Sequence, residues 1–270
     1  MPELPEVETI ASGVHQRVHG QRIVRVWTSG KPQTFKTPED EIATALTGAR
    51  ILSVRRVGKT IVMTVARGKT SVELLIHLGM TGRLLVSAPE VPRAVHTHAV
   101  LTLDDGREIR FVDPRRFGRL SLQPQNEFYA GPGHEPLTIS LDEFVALFHP
   151  RHTAIKAALL NQSLLHGIGN IYADESLFRA AIRPTRQAAR LTRAELARLR
   201  TALVEVLRHA IELGGSSVSD YVDADGARGF FQLEHRVYQR TGQPCLVCGT
   251  PIQKITLAGR STHFCPVCQK

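Results

Sequence analysis

The sequence lacks the features of a membrane-spanning or secreted protein. No run of apolar residues approaches the length of about 18 that a bilayer requires. The first residues, MPELPEVET, carry acids where a secretory signal peptide carries bases. We therefore expect an intracellular protein.

Cysteine is absent until residue 245. Two C-x2-C pairs then follow, separated by sixteen residues, and they consist of Cys245, Cys248, Cys265 and Cys268. In a reducing compartment this spacing predicts one tetrahedral zinc site and not a disulfide framework. Because four thiolates leave no position open for substrate, we expect the zinc ion to be structural.

Long basic runs are also absent, although Lys and Arg outnumber Asp and Glu by 34 to 25 and give a net charge of +9. The excess is spread along the chain, as expected for a folded groove and not for a disordered basic tail. A surplus of this size points to a polyanionic partner such as nucleic acid. Charge that serves solubility alone explains it equally well.

The first half of the chain is predicted to be mainly β-structure. Residues 5–19 repeat apolar side chains at helical spacing after Pro5, which suits a first helical turn. Residues 22–120 consist of short β-branched segments separated by Gly and Asp turns, which predicts an antiparallel sandwich or barrel. The Pro- and Gly-rich stretch 121–136 indicates a domain boundary.

The second half carries helical patterns, followed by the cysteine module. Helices are predicted over 141–149, 153–162, 170–181 and 192–213, and the polar stretch 216–236 is predicted to be a long loop. The predicted fold class is α+β, with an N-terminal antiparallel β-sandwich and flanking helices, a C-terminal helical domain and a zinc finger. The predicted domains are 1–131, 132–236 and 237–270.

The N-terminus offers a candidate nucleophile. Removal of Met1 would leave Pro2 with a free secondary amine. An α-amino group has a pKa near ~8, against ~10.4 for lysine, so much of it is unprotonated near neutral pH and can attack a sugar C1′. Glu3 and Glu6 lie within one turn and could donate a proton or hold the amine. The residues alone leave open that Pro and Glu simply begin a helix.

Six blocks of the sequence resemble formamidopyrimidine-DNA glycosylases, in family order over nearly the whole chain. They are MPELPEVET, GK at 58–59, HLGMTG at 77–82, DPRRFG at 113–118, GIGNIYADE at 167–175 and the four-cysteine finger. The resemblance implies a bacterial repair enzyme with a helix–two-turn–helix domain and one Zn²⁺ ion. It also implies a monomer that binds damaged double-stranded DNA in the cytoplasm, at the nucleoid.

The resemblance implies that this enzyme excises oxidised purines, namely 8-oxoguanine and formamidopyrimidines, and then cleaves the strand by β,δ-elimination. It makes Pro2 the nucleophile, Glu3 the general acid and Glu6 a second acid beside the amine. Lys59 matches a lysine that contacts the phosphate next to the lesion and assists catalysis. Apart from the resemblance, Lys59 would be an ordinary exposed lysine in a turn.

Other residues are assigned to DNA contacts. An enzyme that acts on a paired base must flip it out of the stack and fill the gap. The resemblance gives the filling role to Met80, Arg115 and Phe117, whereas Met80 and Phe117 taken alone would be core residues.

The resemblance places three further residues, Lys156, Asn170 and Arg260, on phosphates. Asn170 begins a helix after glycines, where free N–H groups favour anions, although a glycine-rich helix cap explains that pattern by itself. The loop 216–230 is expected to cover the flipped base, with no individual residue assigned.

Two other functions remain open. An endonuclease VIII-like glycosylase would act on oxidised pyrimidines, but the opening ELPE, in place of EGPE, favours the purine enzymes. A non-enzymatic zinc-finger protein would bind DNA without covalent chemistry. A panel of lesions separates the two enzymes, and borohydride trapping separates both from the binding protein.

Overall fold

The structure is a computed structural model that describes residues 1–217 and 223–270. Its contacts divide the chain into two compact units. Unit 1 contains Met1–Ala130 and Gly214–Phe230, and unit 2 contains Gly131–Leu213 and Phe231–Lys270. The sequence division placed residues 214–217 and 223–230 in the helical domain, whereas unit 1 contains them. The boundaries at 131/132 and 236/237 stay predictions.

Unit 1 contains a β-sandwich. Its strands are β1 (Ile23–Thr28), β2 (Arg50–Val57), β3 (Thr60–Arg67), β4 (Thr70–His77), β5 (Arg83–Ser87), β6 (Thr97–Leu103), β7 (Glu108–Val112) and β8 (Arg119–Leu122). Sheet 1 has the order β1-β6-β7-β5 and sheet 2 the order β2-β3-β4-β8, and all neighbouring strands are antiparallel. The predicted antiparallel sandwich is therefore confirmed.

Helix α1 (Leu4–Val18) packs against this sandwich, close to the predicted range of 5–19. The apolar positions that recur at helical spacing are those that enter the core: Val7, Ile10, Ala11, Val14 and Val18, each 1% exposed or less. Their burial, at about 25 cal/mol per Å² of apolar surface, stabilises the helix far more than its intrinsic propensity does.

Helix α2 (Glu39–Leu46) lies within the segment that we expected to contain only strands. It follows Pro38 and carries Glu39, Asp40 and Glu41 in its first turn, where acids interact favourably with the helix dipole. Only Ile42 and Leu46 are buried in its eight residues. Two buried positions are too few for an apolar period to stand out.

Unit 2 is helical and ends in a β-hairpin. Its elements are α3 (Leu141–Phe148), α4 (Ile155–Leu159), α5 (Asn170–Arg179), α6 (Arg193–Glu212), β9 (Gln253–Leu257) and β10 (Arg260–Phe264). Three predicted helices agree within two residues, but α4 is much shorter than 153–162. The chain turns after it, because the Gln162 amide donates to the carbonyls of Leu160 and Ile168, each at 2.8 Å.

Within the described ranges, no helix combines the length and the apolar character needed to cross a membrane. The longest, α6, has 20 residues and carries charged side chains along its whole length.

Candidate functional site

The N-terminal turn is fixed by Glu6. Pro2 is buried immediately before α1, and Glu3 is the N-cap residue of that helix. The two carboxylate oxygens of Glu6 have separate partners: Oε2 accepts the N–H of Glu3 at 2.8 Å, and Oε1 accepts the N–H of Ser216 at 2.7 Å. Glu6 thus joins the start of α1 to the segment that follows Gly214.

This segment leads into the loop expected to cover a flipped base. Residues 218–222 lie outside the described residues, so that expectation stays a prediction. After them, Ala224 is buried and packs in the core of unit 1, and Asp225 forms an ion pair with Arg17 of α1.

Contacts along α1 show which end of sheet 2 holds Pro2. Glu8 forms a 2.7 Å ion pair with Arg56, while further along the helix His15 Nδ1 accepts the N–H of Val54 at 3.2 Å. Beyond the end of the helix, the Gly20 N–H bonds the Ile51 carbonyl at 2.9 Å. The helix therefore runs antiparallel to β2 and begins where β2 ends.

The same end of sheet 2 holds Lys59. Gly58 and Lys59 form the two-residue turn between β2 and β3, since Val57 pairs with Thr60. Gly58 has φ +60°, the conformation of the first central residue of a type II′ turn, which glycine favours. The carbonyl of Lys59 bonds the ring of His77 at 3.2 Å, so the turn is braced against the end of β4.

Two loops meet beside that turn. The register Thr60↔His77↔Arg119 brings together the loop 78–82, which follows β4, and the loop 113–118, which precedes β8. Gly79 has φ +64°, and a Cβ there would lie 2.5 Å from the carbonyl carbon of Phe117. Only glycine permits this backbone contact between the loops.

Asp113 joins the same two loops by its buried carboxylate. Its Oδ1 accepts the Thr81 hydroxyl at 2.5 Å and the Arg115 N–H at 3.3 Å, and its Oδ2 accepts the Gly118 N–H at 2.7 Å. The sequence analysis did not single out this residue. The available signal was a carboxylate directly after the apolar strand EIRFV, in a position where burial demands hydrogen-bond partners.

Three large side chains project from the two loops that Asp113 joins. Met80 is 41% exposed and Phe117 is 47% exposed. Arg115 is also exposed, with its guanidinium carbon 4.8 Å from the centre of the Phe117 ring. These exposures exclude the alternative that Met80 and Phe117 are core residues. An exposed cation–aromatic pair on a rigid loop suits insertion into a base stack.

In unit 2, Lys156 is placed differently from our expectation. The side chain is fully buried, and Nζ lies 2.7 Å from Asp174 Oδ1, 2.7 Å from the Ser261 carbonyl and 2.8 Å from the Thr262 hydroxyl. This placement corrects the expected phosphate contact, because a buried ammonium already held by three acceptors is not presented to a ligand. Lys156 instead ties β10 to α5.

Asn170 and Arg260 both lie next to Ser261, the first by a hydrogen bond and the second along the chain. Asn170 opens α5, and its Nδ2 donates to the Ser261 hydroxyl at 3.2 Å. Arg260 is the exposed first residue of β10, after the tight turn of Ala258 and Gly259, which both have positive φ. An exposed arginine near the start of a helix is a typical arrangement for binding phosphate.

Two buried acids of α5 hold the C-terminal module, and the sequence analysis missed both. Asp174 accepts the backbone N–H of His263 at 2.9 Å. Glu175 accepts the N–H groups of Arg236, Val237 and Tyr238 at 2.8 to 3.0 Å. Burial raises the pKa of the Glu175 carboxyl, although these donors act in the opposite direction. Both acids belong to the block GIGNIYADE, which was the available signal.

The four cysteines form a metal site. Their sulfur atoms all lie within 4.8 Å of one another, with 3.9 Å between Cys245 and Cys268 and 3.5 Å between Cys248 and Cys265. Zn–S bonds of about 2.3 Å in a tetrahedron place sulfur atoms about 3.8 Å apart. The donor set and its spacing fit one zinc ion, and the predicted structural zinc site is confirmed.

Three families match successive parts of the chain. Residues 1–120 match the formamidopyrimidine-DNA glycosylase N-terminal domain, residues 132–222 match the formamidopyrimidine-DNA glycosylase H2TH domain, and residues 242–270 match the zinc finger found in FPG and IleRS.

Curated proteins and solved structures agree with these matches. Formamidopyrimidine-DNA glycosylases of Solibacter usitatus and Herpetosiphon aurantiacus are 48% and 44% identical to the chain, each over the full length of both proteins. The MutM (Fpg) protein of Thermus thermophilus superposes with a TM-score of 0.87 at 42% identity, covering 99% of this chain and 98% of that one.

A Lactococcus lactis FPG mutant bound to DNA that contains Fapy-dG has a TM-score of 0.90 at 35% identity, with full coverage of both chains. The Lactococcus lactis Fpg in complex with DNA containing an abasic site has a TM-score of 0.89 at 34% identity, covering 99% of each chain. The chain belongs to the formamidopyrimidine-DNA glycosylase family.

Proposed function

We propose that this protein is a bifunctional DNA glycosylase and abasic-site lyase of base excision repair. It excises oxidised purines, namely 8-oxoguanine and formamidopyrimidines, from duplex DNA and then cleaves the strand. The observation that carries the proposal is the N-terminal turn, where Pro2 precedes two buried acids at the end of sheet 2 that also holds Lys59. The Fapy-dG and abasic-site complexes of the Lactococcus lactis relative support the substrate class.

The reaction begins at the Pro2 nitrogen, once Met1 has been removed. The nitrogen lone pair attacks C1′ of the damaged nucleotide, and the bond from C1′ to the base breaks, with its electrons leaving on the base. Glu3 supplies a proton that assists departure of the base, and the Pro2 nitrogen loses its own proton to leave a closed-ring aminal. Protonation of O4′ then breaks the C1′–O4′ bond, and the opened sugar is joined to Pro2 as a cationic Schiff base. Lys59 stabilises the phosphate next to the lesion.

Strand cleavage follows from the Schiff base. Loss of a proton from C2′ expels the 3′ phosphate, and a second elimination expels the 5′ phosphate. Each elimination needs only proton transfer and a cationic imine that accepts electrons. The imine formed on the Pro2 nitrogen therefore serves both eliminations. Water then releases the sugar fragment and regenerates the amine.

The exposed loop residues open the duplex. Met80, Arg115 and Phe117 fill the space that the flipped nucleotide leaves, with Arg115 facing the orphaned base. In unit 2, Asn170 and Arg260 grip the backbone phosphates, and zinc holds the finger that carries Arg260. We further propose that the protein works as a monomer on chromosomal DNA in the cytoplasm.

Borohydride trapping tests the proposal. Protein with a free Pro2, verified by mass spectrometry, is incubated with three separate duplexes. One contains 8-oxoguanine paired with cytosine, the second contains a formamidopyrimidine, and the third contains an oxidised pyrimidine. We expect a covalent adduct with the purine lesions, mapped by peptide analysis to the N-terminal proline.

The matched control is the same chain with an uncleaved N-terminal tag, in which the Pro2 nitrogen is an amide and lacks nucleophilic character. The tagged chain should bind lesion DNA without forming an adduct. Adducts with pyrimidine lesions alone would contradict the substrate assignment, and an adduct on a lysine would contradict the nucleophile.

A further inference from the structure

Two segments of unit 1 carry positive charge without any acid. Residues 29–38 contain Lys31 and Lys36, and residues 114–122 contain Arg115, Arg116 and Arg119. We call Lys31, Lys36, Arg116 and Arg119 the basic strip. The proposed reaction uses none of these four residues.

Hydrogen bonds place the two segments side by side. The Lys36 N–H donates to the Leu120 carbonyl, and the Leu120 N–H donates to the Thr34 carbonyl, each at 2.8 Å. Nearer the loop 113–118, the Arg116 guanidinium lies 3.4 Å from the side-chain oxygen of Gln33. The strip therefore continues directly from the loop that carries Arg115 and Phe117.

The conformation of Arg116 supports this arrangement. It has φ +54°, in the left-handed region that non-glycine residues seldom occupy. Its carbonyl accepts the guanidinium of Arg119 at 2.8 Å. Together these contacts hold Arg116 exposed between Phe117 and the segment 29–38.

None of the four strip residues forms an ion pair within the residues that the structure describes. Lys31 and Lys36 are both exposed. Asp113 is turned inward and is fully buried. Glu39, the acid that follows in sequence, directs its carboxylate to the N–H of Gly30 at 3.0 Å.

We propose that Lys31 and Lys36, with Arg116, bind backbone phosphates of the duplex that flanks the inserted loop. The inference rests on the proposed function, because it is insertion of this loop that would bring a duplex against the strip. Exposed lysines suit phosphates, since an ammonium group acts as a point charge without demanding a fixed geometry. Contacts of this kind set position and affinity but carry no sequence information.

The test uses the double variant Lys31→Gln/Lys36→Gln. Each phosphate contact contributes about 0.9 to the slope of log K against log salt concentration. We expect the slope for a duplex with a tetrahydrofuran abasic-site analogue to decrease in magnitude by about 1.8, measured by fluorescence anisotropy over a range of salt concentrations.

The matched control is Arg67→Gln/Lys69→Gln, which removes the same charge from exposed positions at the opposite end of sheet 2, where Arg67 pairs with Thr70. Its slope and its trapping yield should equal those of the unmodified protein. An unchanged slope in the strip variant would overturn the inference, as would equal decreases in both variants.

Failure of the proposed function is distinguishable from failure of the strip. If the unmodified protein forms no adduct with any lesion, the enzymatic proposal fails, whereas the salt slopes still report on phosphate contacts. If trapping succeeds and the strip variant keeps its full slope, the enzymatic proposal stands and the strip does not bind DNA.

Discussion

At the scale of single residues, Glu6 positions the proposed nucleophile through backbone contacts. Its two carboxylate oxygens each accept an N–H group, one from Glu3 and one from Ser216. The side chain is only 2% exposed, so water cannot replace a lost partner. The sequence predicted that Glu6 lies near the amine. It could not predict the bond to Ser216, because that partner is 210 residues away.

Replacing Glu6 with Gln should therefore disrupt the turn. An amide has one oxygen and one NH₂ group, so one backbone N–H would face a donor, at a cost of about 1–3 kcal/mol. We expect a lower denaturation midpoint and a reduced rate of adduct formation. Glu8→Gln is the control, since it removes the same charge from a side chain that is 30% exposed and contacts Arg56. Equal stability of the two variants would contradict this role for Glu6.

Lys156 shows the limit of residue-level prediction. A lysine near a helix start is consistent with phosphate binding, and the apolar residues around it, such as Ile155 and Ala158, do not show whether a charged side chain among them is buried. Its partners, Asp174 and Ser261, lie 18 and 105 residues further on. The position of an ionic group depends on such distant partners, whereas the zinc ligands were predictable because their spacing is local.

At the scale of elements, local signals predicted three helices of unit 2 well. Helices α3 and α6 begin with the capping boxes of Ser140 and Thr192, and their apolar periods extend over the observed lengths. Helix α2 and the end of α4 were not predictable in this way. Helix α2 depends on two buried residues, and α4 ends where the side chain of Gln162 bonds the backbone.

The loops 78–82 and 113–118 act as one element because Asp113 and Gly79 join them. Asp113→Asn would place an NH₂ group against the Arg115 N–H or the Gly118 N–H, and a loss of about 1–3 kcal/mol corresponds to a factor of about 5–150. We expect adduct formation on an 8-oxoguanine duplex to decrease by at least about fivefold. On a single-stranded abasic site, which requires no base flipping, the decrease should be much smaller.

Asp105→Asn provides the comparison for this prediction. Asp105 lies in the β6–β7 turn and bonds the half-exposed guanidinium of Arg107. Replacing Asp105 with Asn should leave adduct formation unchanged on both the 8-oxoguanine duplex and the single-stranded abasic site. If Asp113→Asn impaired the duplex and the single strand equally, the carboxylate would affect the chemical step or the overall fold, and not the insertion of the loop.

At the scale of the whole molecule, the proposed chemistry lies in unit 1, and the zinc site and the residues proposed to bind phosphate, Asn170 and Arg260, lie in unit 2. Helix α5 supports the second group, because Asp174 and Glu175 hold residues of the finger and of the segment before it. The only tryptophan, Trp27, belongs to β1 of unit 1. Tryptophan fluorescence therefore reports on the sandwich, and zinc content reports on the finger.

Cys265→Ser tests this division of roles. Loss of one thiolate should reduce bound zinc well below one ion per chain, because structural zinc binding of about 10–16 kcal/mol depends on the complete donor set. We expect proteolytic cleavage within residues 242–270 and weaker binding of lesion DNA, while the unfolding transition followed by Trp27 stays unchanged. Val267→Ser, at a side chain that is 53% exposed in the same finger, should keep its zinc. A full zinc content in Cys265→Ser would contradict the four-thiolate site, and a shifted Trp27 transition would show that the finger also stabilises the sandwich.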